Sequence, residues 1–537
     1  MSQKKMFLVT AVILELTIGM CRSYSQSFSM SFPIAVDQLR GYTLVKLFVG
    51  KSKPAWFVLD TGTTGAILIS WAAAQQLGID FDENEKIKLS VLDAEMEAYA
   101  VKKPPQIEIR TQAEKTGEIS FGIKARCLVA PRDYENLQGN VAIIDGKVVQ
   151  IAGLIGIDAF GSLVVRVSYD NQSLEISTSL EQNEWTDVTG QPCKGDTLLC
   201  VRLSIGEHML DAFLDSGIPV ELVLNDTLRR RLESLLTLTV LRREIFDKEY
   251  IEYDALLLPA IRFGTSYTNL HRVGVLKSDL PPIWGALGML YYNWQFDWRN
   301  KRVYVQPRKN LPTFHCNYFA AMFMELEHHD GKYTIVTVPS SYLHRVLPRQ
   351  CELLAVEGIP LQELQKMLQD PQEEVAGFVK SLLLSPLKQE VRLKVRCGDD
   401  TREITVRSPL SARQFHELLV YFSRQQLGFK TETDENGGIM LWFSPKAPVR
   451  YWVAGQPVDV DDEYRLRLRR IVGLDVEQPT IEELFLHLHS HLLQGKPVQL
   501  VCEDDKGREV LVEIPAVEPP KAEDTPSPVP PKETRDE

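Results

Sequence analysis

Cysteine is scarce in this sequence, and long apolar runs and a surplus of basic residues are absent as well. None of the eight cysteines among 537 residues forms a C-x-x-C pair, so no structural zinc site is expected. Beyond the N-terminal segment, no apolar run is long enough to cross a bilayer. The net charge is −12, and a nucleic-acid partner is therefore not expected. With 44% hydrophobic and 25% charged residues, the composition indicates a globular chain of several domains.

The cysteines are also too few for a dense disulfide framework. Cys193 and Cys200 are close enough in sequence to join the two arms of a hairpin in an oxidising compartment. We interpret the cysteines beyond the N-terminal segment, apart from this pair, as buried small hydrophobic residues, namely Cys127, Cys316, Cys351, Cys397 and Cys502.

The first 25 residues resemble a secretory signal peptide. Lys4 and Lys5 precede an apolar run over residues 7–14, and small residues before Gln26 suit cleavage there. An alternative is a lipoprotein anchored at Cys21. At the other end, residues 516–537 are rich in proline and charge, which predicts a disordered tail.

Two segments of the chain have the same order of predicted elements. The first consists of strands over residues 42–50 and 55–59, the triplet Asp60-Thr61-Gly62, a strand over 66–69 and a helix that ends at residue 78. The second consists of strands over residues 199–206 and 209–214, the triplet Asp215-Ser216-Gly217, a strand over 220–224 and a helix around 228–236. The order predicts an internal duplication.

A third element also occurs twice, as two apolar residues and a glycine followed by a predicted hairpin. It consists of Leu154-Ile155-Gly156 in the first copy and Ala286-Leu287-Gly288 in the second. Because Asp-Thr/Ser-Gly alone is also an ordinary surface turn, the significance lies in finding both triplets after apolar strands and with this later partner.

This arrangement resembles the pepsin-like and retropepsin-like aspartic peptidases over roughly residues 33–308. The resemblance implies one β lobe over residues 26–180 and a second over 181–308, with Asp60 and Asp215 as the catalytic pair. It further implies that the Thr61 and Ser216 hydroxyls hydrogen-bond across to the other lobe, and that Leu154-Ile155-Gly156 and Ala286-Leu287-Gly288 pack beside the turns. We expect Gly62 and Gly217 to let the backbone turn tightly under each carboxyl.

Two neighbouring carboxyls cannot both ionise easily, so they share one proton. The charged member can take a proton from a bound water, and the neutral member can donate one to the scissile carbonyl. Such a pair needs no cofactor and no metal. The resemblance therefore predicts an aspartic endopeptidase that acts on polypeptides, with both lobes in one chain, which is expected to be a monomer.

Two features depart from the family. Ile218-Pro219 follows the second triplet, where small or hydroxyl residues are usual, and this favours the alternative of an inactive peptide-binding or scaffolding protein of the same fold. The hairpin that covers the cleft in the family must lie between residues 86 and 129, with Tyr99 and Phe121 as the two aromatic candidates.

The C-terminal third resembles one or two PDZ domains. Residues 354–360, a helix over 373–384 and a hairpin over 391–406 indicate a PDZ-like domain over residues 309–408. A second, degenerate copy over 409–515 is predicted because residues 450–458 are similar to residues 354–360, with Gly455 matching Gly358. A helix over 481–494 and a hairpin over 498–512, similar to the one over 391–406, then follow in the same order. The resemblance implies a peptide ligand for these domains, with structural scaffolding as the alternative.

The helix predicted over residues 481–494 carries Glu483, His487 and His491 at four-residue spacing, and we interpret this as a solvated face, with a metal site as the alternative. Taken together, the sequence predicts a mainly β fold with two aspartic-peptidase-like lobes and one or two α+β PDZ-like domains. The signal and the domain combination favour a bacterial periplasmic or cell-envelope location.

Overall fold

A computed structural model describes residues 28–516 apart from short internal gaps. The gaps are residues 51–53, 92–93, 114–116, 132–140, 182, 193–197, 233–241, 247–248, 255–260, 265, 269–272, 277–280, 315–323, 338–340, 348–349, 369–370, 408–409, 412–413, 415–416, 419–420, 423–426, 435–437, 445–446 and 461–463. The predicted signal peptide, the predicted tail from residue 517 on, and Cys193 lie outside the described residues.

The described chain is mainly β, as predicted, and forms two compact units. The first unit comprises the described residues up to Thr313 together with Gln362–Val375, and the second comprises Phe314–Leu361 and those from Ala376 on. Across the described ranges, no helix has the length and apolar character needed to span a bilayer.

The strands of the first unit form two sheets. They are β1 (Ser29–Val36), β2 (Thr43–Val49), β3 (Ala55–Asp60), β4 (Ala66–Ile69), β5 (Phe81–Val91), β6 (Ala94–Val101), β7 (Ile107–Ala113), β8 (Gly117–Ile123), β9 (Arg126–Val129), β10 (Val141–Ile144), β11 (Lys147–Gly156), β12 (Val164–Ser168), β13 (Ser173–Ser177), β14 (Thr186–Asp187), β15 (Cys200–Ile205), β16 (His208–Asp215), β17 (Leu222–Asn225), β18 (Arg242–Phe246), β19 (Glu249–Asp254), β20 (Ile261–Phe263), β21 (Ser266–Thr268), β22 (Val273–Leu276), β23 (Ile283–Gly285), β24 (Tyr292–Asp297) and β25 (Arg302–Pro307).

One pairing order occurs in both sheets. In sheet 1 it runs β8-β7-β2-β3-β11-β4-β9-β6-β5, and in sheet 2 it runs β21-β20-β15-β16-β23-β17-β22-β19-β18. The strand directions agree as well, since β3 with β11, β4 with β9, β16 with β23 and β17 with β22 are all parallel pairs. The pairing therefore repeats as the order of elements in the sequence predicts. Sheet 1 continues beyond this repeat through β1, β13, β12, β24, β25 and β14.

The strand beside the second aspartate turn is not the one that the sequence predicted. In the first copy Gly156 pairs with Asp60, whereas in the second it is Gly285 that pairs with Asp215. Ala286, Leu287 and Gly288 come after that strand and lie in a short helix. The sequence match was three residues out of register because the chain offers two glycines, and backbone pairing selects the earlier one. A Cβ on Gly285 would lie 2.5 Å from the Val220 carbonyl oxygen, so this close packing requires glycine.

The described helices are short, apart from two in the C-terminal half of the chain. They are α1 (Trp71–Gln76), α2 (Asp226–Arg231), α3 (Ala286–Met289), α4 (Tyr342–Val346), α5 (Leu361–Met367), α6 (Pro371–Leu384) and α7 (Ile481–Leu492), with a 3-10 turn at Ile157–Phe160. Thr480 and Glu483 form a capping box that fixes the start of α7.

The second unit contains two further sheets. Their strands are β26 (Met324–His329), β27 (Lys332–Thr337), β28 (Cys351–Val356), β29 (Ile359–Pro360), β30 (Glu390–Cys397), β31 (Asp400–Arg407), β32 (Phe429–Thr433), β33 (Ile439–Phe443), β34 (Arg450–Val453), β35 (Gln456–Val458), β36 (Tyr464–Ile471), β37 (Val498–Glu503) and β38 (Glu509–Ile514). Sheet 3 has the order β26-β27-β28-β30-β31, and sheet 4 begins β32-β33-β36-β37-β38.

These two orders correspond, and the predicted match of the closing hairpins holds, because β37 and β38 take the places of β30 and β31. The match of the strands around the two glycines fails. The hairpin at Gly455 joins β34 to β35, and it pairs with β38 at the far side of sheet 4. The strand that occupies the place of β28 is β36, and both carry a register shift against the next strand. The match of Gly455 with Gly358 was wrong because both glycines serve the same local turn, with positive φ values of 77° and 78°.

Two cysteines predicted to be buried thiols form a disulfide instead. Cys351 and Cys397 lie on the paired strands β28 and β30, with Cα atoms 4.5 Å apart, although 46 positions separate them in sequence. Cys200 is also disulfide-bonded. Its predicted partner, Cys193, lies outside the described residues. Cys127 and Cys502 are buried free thiols, as expected.

Candidate active site

The two Asp-x-Gly triplets lie at the ends of equivalent strands. β3 ends at Asp60 and β16 ends at Asp215, and each is an apolar strand whose last four residues are buried. Both carboxyl-bearing residues are themselves buried, with 5% and 7% of their surface exposed. Burying two acids beside each other is unfavourable unless they are hydrogen-bonded, so the contacts around them are informative.

Thr61 and Ser216 link the two turns through four hydrogen bonds. The Thr61 amide donates to Ser216 Oγ at 2.9 Å, and the Ser216 amide donates to Thr61 Oγ1 at 3.0 Å. Each hydroxyl then donates to a carbonyl of the opposite strand, Thr61 to Leu214 at 2.8 Å and Ser216 to Leu59 at 2.7 Å. Every one of these donors and acceptors is buried, so the link holds the two carboxyls at a fixed separation.

Gly62 and Gly217 leave space for the opposite carboxyl group. A Cβ on Gly62 would lie 2.7 Å from the carboxyl carbon of Asp215, and one on Gly217 would lie 3.0 Å from that of Asp60. Neither glycine has a positive φ. We expected glycine here for a tight turn, but the close approach of the carboxyls is what requires it. The amides also contribute, because that of Gly62 donates to Asp60 and that of Gly217 donates to Asp215.

The two carboxyls interact directly. Burial raises the pKa of Asp215 well above its ordinary value, and the charge of Asp60 and a hydrogen bond to it raise that pKa further. The Gly217 amide opposes the shift only in part. These effects favour a proton on Asp215, which is coupled to Asp60 so that the pair titrates as a unit.

The surroundings of the two carboxyls differ at one position. The Thr63 hydroxyl donates to Oδ2 of Asp60 at 2.6 Å. The equivalent residue after Asp215 is Ile218, which is buried and has no hydroxyl to donate. A donor to a carboxylate favours its charged form, so this difference also favours charge on Asp60 and a proton on Asp215.

Tyr42 lies close to the pair, and sequence reasoning did not single it out. Burial raises the pKa of Tyr42, and the charges of Asp215 and Asp60 contribute to the rise. The Arg40 guanidinium lies over its ring, 5.8 Å from the centroid. Its place just before β2, the first of the two strands that lead to the first triplet, is the one sequence signal that could have indicated it.

The two aromatic candidates for the covering hairpin lie on different hairpins. Tyr99 is on β6 and packs against Trp71, with ring centroids 5.5 Å apart. Phe121 is on β8 and packs against Phe160, with ring centroids 6.4 Å apart. Both rings thus contact other aromatic side chains of the first unit.

In the second unit, His487 is buried and its ring stacks on His491 with centroids 3.8 Å apart. The solvated face expected for these histidines is therefore wrong for His487, because α7 packs this side inward. Among the residues that the structure describes, no three His, Cys, Asp or Glu side chains are placed to hold a metal ion.

A comparison with protein-family models and with curated proteins finds no match to this chain. The geometry around Asp60 and Asp215 is therefore the basis for a functional assignment.

Proposed function

We propose that this chain is an aspartic endopeptidase with two lobes, residues 26–180 and 181–308. The observation that carries the proposal is the set of four buried hydrogen bonds between Thr61 and Ser216 and the opposite strands, which brings two aspartates together. A structural turn has no need for two buried carboxyls in contact. The repeated pairing order on either side of the pair gives further support.

The asymmetry of the pair assigns a role to each carboxyl. Asp60 accepts from Gly62 and Thr63, so it is the ionised member and takes a proton from a bound water as that water attacks the scissile carbonyl carbon. Asp215 is the protonated member and donates its proton to the carbonyl oxygen, which gives a tetrahedral intermediate. The proton on Asp60 then passes to the leaving nitrogen as the C–N bond breaks, and Asp215 recovers its own proton from the intermediate.

The substrate class follows from the same chemistry. Both carboxyls act on a single amide group, so the substrate is an extended polypeptide lying across the pair, with no metal or cofactor in the reaction. The two sheets of the second unit, which repeat one strand order, are proposed as PDZ-like domains over residues 309–408 and 409–515 that bind a peptide or partner as an added strand.

We also propose export from the cytosol, to the periplasm or cell envelope, directed by residues 1–25. The Cys351–Cys397 disulfide supports this proposal, because such bonds persist in oxidising compartments. The test is the mass of the mature N-terminus. Cleavage before Gln26 supports export by a signal peptide, a lipid-modified Cys21 supports the lipoprotein alternative, and an intact Met1 in the cytosol contradicts both.

The test of activity is cleavage of a mixed peptide library by the purified chain from residue 26 on, from acid to neutral pH. We expect the Asp60→Asn and Asp215→Asn variants to lose activity. Asp145→Asn is the matched control, because Asp145 is exposed in a turn whose positive φ of 49° suits asparagine as well. If either Asp60→Asn or Asp215→Asn cleaves the peptides as fast as the Asp145→Asn control does, the shared mechanism is contradicted.

The second candidate function is peptide binding without catalysis. Ile218 favours it, because Asp215 has no hydroxyl donor to match the one that Thr63 provides for Asp60. A folded wild-type chain that binds peptides but cleaves none of them at any pH would support this candidate over the first.

A further inference from the structure

Asp158 is a third carboxyl near the proposed pair. It is the second residue of the 3-10 turn that follows Gly156, and Gly156 pairs directly with Asp60. The residue two places after Gly285, at the corresponding point of the second copy, is the buried Leu287. An acid therefore occupies this position in the first copy alone.

One oxygen of Asp158 holds the loop that follows the first triplet. Its Oδ2 accepts a hydrogen bond from the Gly65 amide. Gly65 has a positive φ of 68°, so the loop makes a sharp bend at the residue that this bond secures. Thr63, two residues earlier in the same loop, donates its hydroxyl to Asp60.

The other oxygen of Asp158, Oδ1, is buried, and no other residue in the described part of the chain donates a hydrogen bond to it. Burial raises the pKa of Asp158, while the Gly65 amide, the backbone amide of Asp158 itself and the charge of Lys301 lower it. A buried carboxyl oxygen that no other residue satisfies is unfavourable, so its presence beside the first triplet calls for a reason.

We infer that Asp158 is a positioning residue of the proposed dyad, which anchors the Gly65 amide so that the Thr63 hydroxyl stays on Asp60. This inference rests on the proposed function. Asp158 does not touch the reacting atoms, and its effect reaches Asp60 through residues 63–65. The anchor and the hydroxyl are both missing from the second copy, where Leu287 and Ile218 replace them, so this pair of polar residues accounts for the asymmetry between the two aspartates.

Three variants test the hydrogen bond from the Gly65 amide to Asp158. Asp158→Ala removes the acceptor, and we expect the acidic limb of the pH–rate profile to move up by about one pH unit, with kcat lower and KM little changed. Asp158→Asn keeps an acceptor oxygen for the Gly65 amide, so the acidic limb of its pH–rate profile should stay where it is in the wild type. Thr63→Val removes the hydroxyl itself and should move the limb at least as far as Asp158→Ala does.

A second readout does not depend on turnover. In the full chain with 13C-labelled aspartate carboxyls, assigned with Asp60→Asn and Asp215→Asn, the first titration step of the pair should move up by about one pH unit in Asp158→Ala. If that variant does not fold, Asp158→Ser serves in its place. Two titration steps in a wild-type chain that cleaves nothing would defeat the proposed function without touching this inference.

Two results would overturn the inference itself. One is an unchanged first step in Asp158→Ala when Thr63→Val moves it, since the anchor would then have no effect on Asp60. The other is a shift in Asp158→Asn as large as that in Asp158→Ala, since the charge of Asp158 would then matter and its acceptor would not.

Discussion

Replacing Ile218 by threonine tests the asymmetry of the pair most directly. The Thr63 hydroxyl lies 2.6 Å from Oδ2 of Asp60, and Ile218 follows Asp215 at the same spacing. Threonine at this position would offer Asp215 the donor that it lacks. The Gly217 amide donates to Oδ1 of Asp215 at 2.9 Å, so the new hydroxyl would bond to Oδ2.

The magnitude follows from the strength of such a bond. A hydrogen bond to a charged group contributes about 1.5–3 kcal/mol, and one pKa unit corresponds to about 1.4 kcal/mol. The new donor stabilises the charged form of Asp215, so its raised pKa should fall by about one to two units. The alkaline limb of the pH–rate profile reports loss of the proton from Asp215, and it should therefore move to lower pH by that amount.

The matched control is Ile218→Val, which trims the same buried side chain without adding a hydroxyl. Its expected cost is about 0.5–1.5 kcal/mol in the free energy of unfolding, with the alkaline limb unmoved. The assay is kcat/KM for one peptide substrate across the pH range, together with urea unfolding of both variants. A limb that moves equally in the threonine and valine variants would refute the reasoning, and so would a shift to higher pH.

The remaining predictions concern the charge, the packing and the disulfide. Because the pKa of Asp215 is raised in the fold, its protonation favours the folded state, and that contribution is lost as pH rises from the ordinary value of 3.8 through the folded pKa. Asp215→Asn should therefore gain stability over wild type as pH rises above about 4, by up to about 1.4 kcal/mol per pH unit in urea unfolding. A wild-type advantage that grows with pH would contradict this. Gly62→Ala places a Cβ 2.7 Å from the Asp215 carboxyl carbon, and it should lower kcat/KM roughly 100-fold. Gly217→Ala should cost less, because its Cβ lies 3.0 Å from the Asp60 carboxyl carbon. Equal losses in the two variants would contradict this packing explanation. Replacing both Cys351 and Cys397 by alanine removes their disulfide, which closes a loop with a sequence separation of 46. The second unit should lose up to about 4 kcal/mol of unfolding free energy and unfold at a lower urea concentration. An unchanged urea transition would show that the disulfide adds little stability.

The local parts of the site could be predicted from the sequence. Apolar strands that end in Asp-Thr-Gly and Asp-Ser-Gly, and the order of elements around them, indicate two equivalent turns. The mainly β character also followed from local patterns, since alternating and continuous apolar runs of strand length recur along the chain. These features depend on residues that are neighbours in sequence.

The non-local parts could not be predicted in this way. Gly285, not Gly288, faces Asp215 because parallel pairing of β16 with β23 sets the register, and two nearby glycines make that register ambiguous in the sequence. The place of β36 beside β37, and the bond between Cys351 and Cys397, likewise depend on strands that are far apart in the chain.

The sequence by itself determined which residue types stand at the two turns: two acids, two hydroxyl side chains and two glycines. Only the tertiary structure decided that the acids meet in a buried place, that each hydroxyl bonds across to the opposite strand, and that Asp60 alone has Thr63 as a donor. The physical reason is that desolvation and hydrogen bonding depend on which groups surround a carboxyl in space. Strand pairing over long separations in the chain sets those surroundings, and no local pattern records it.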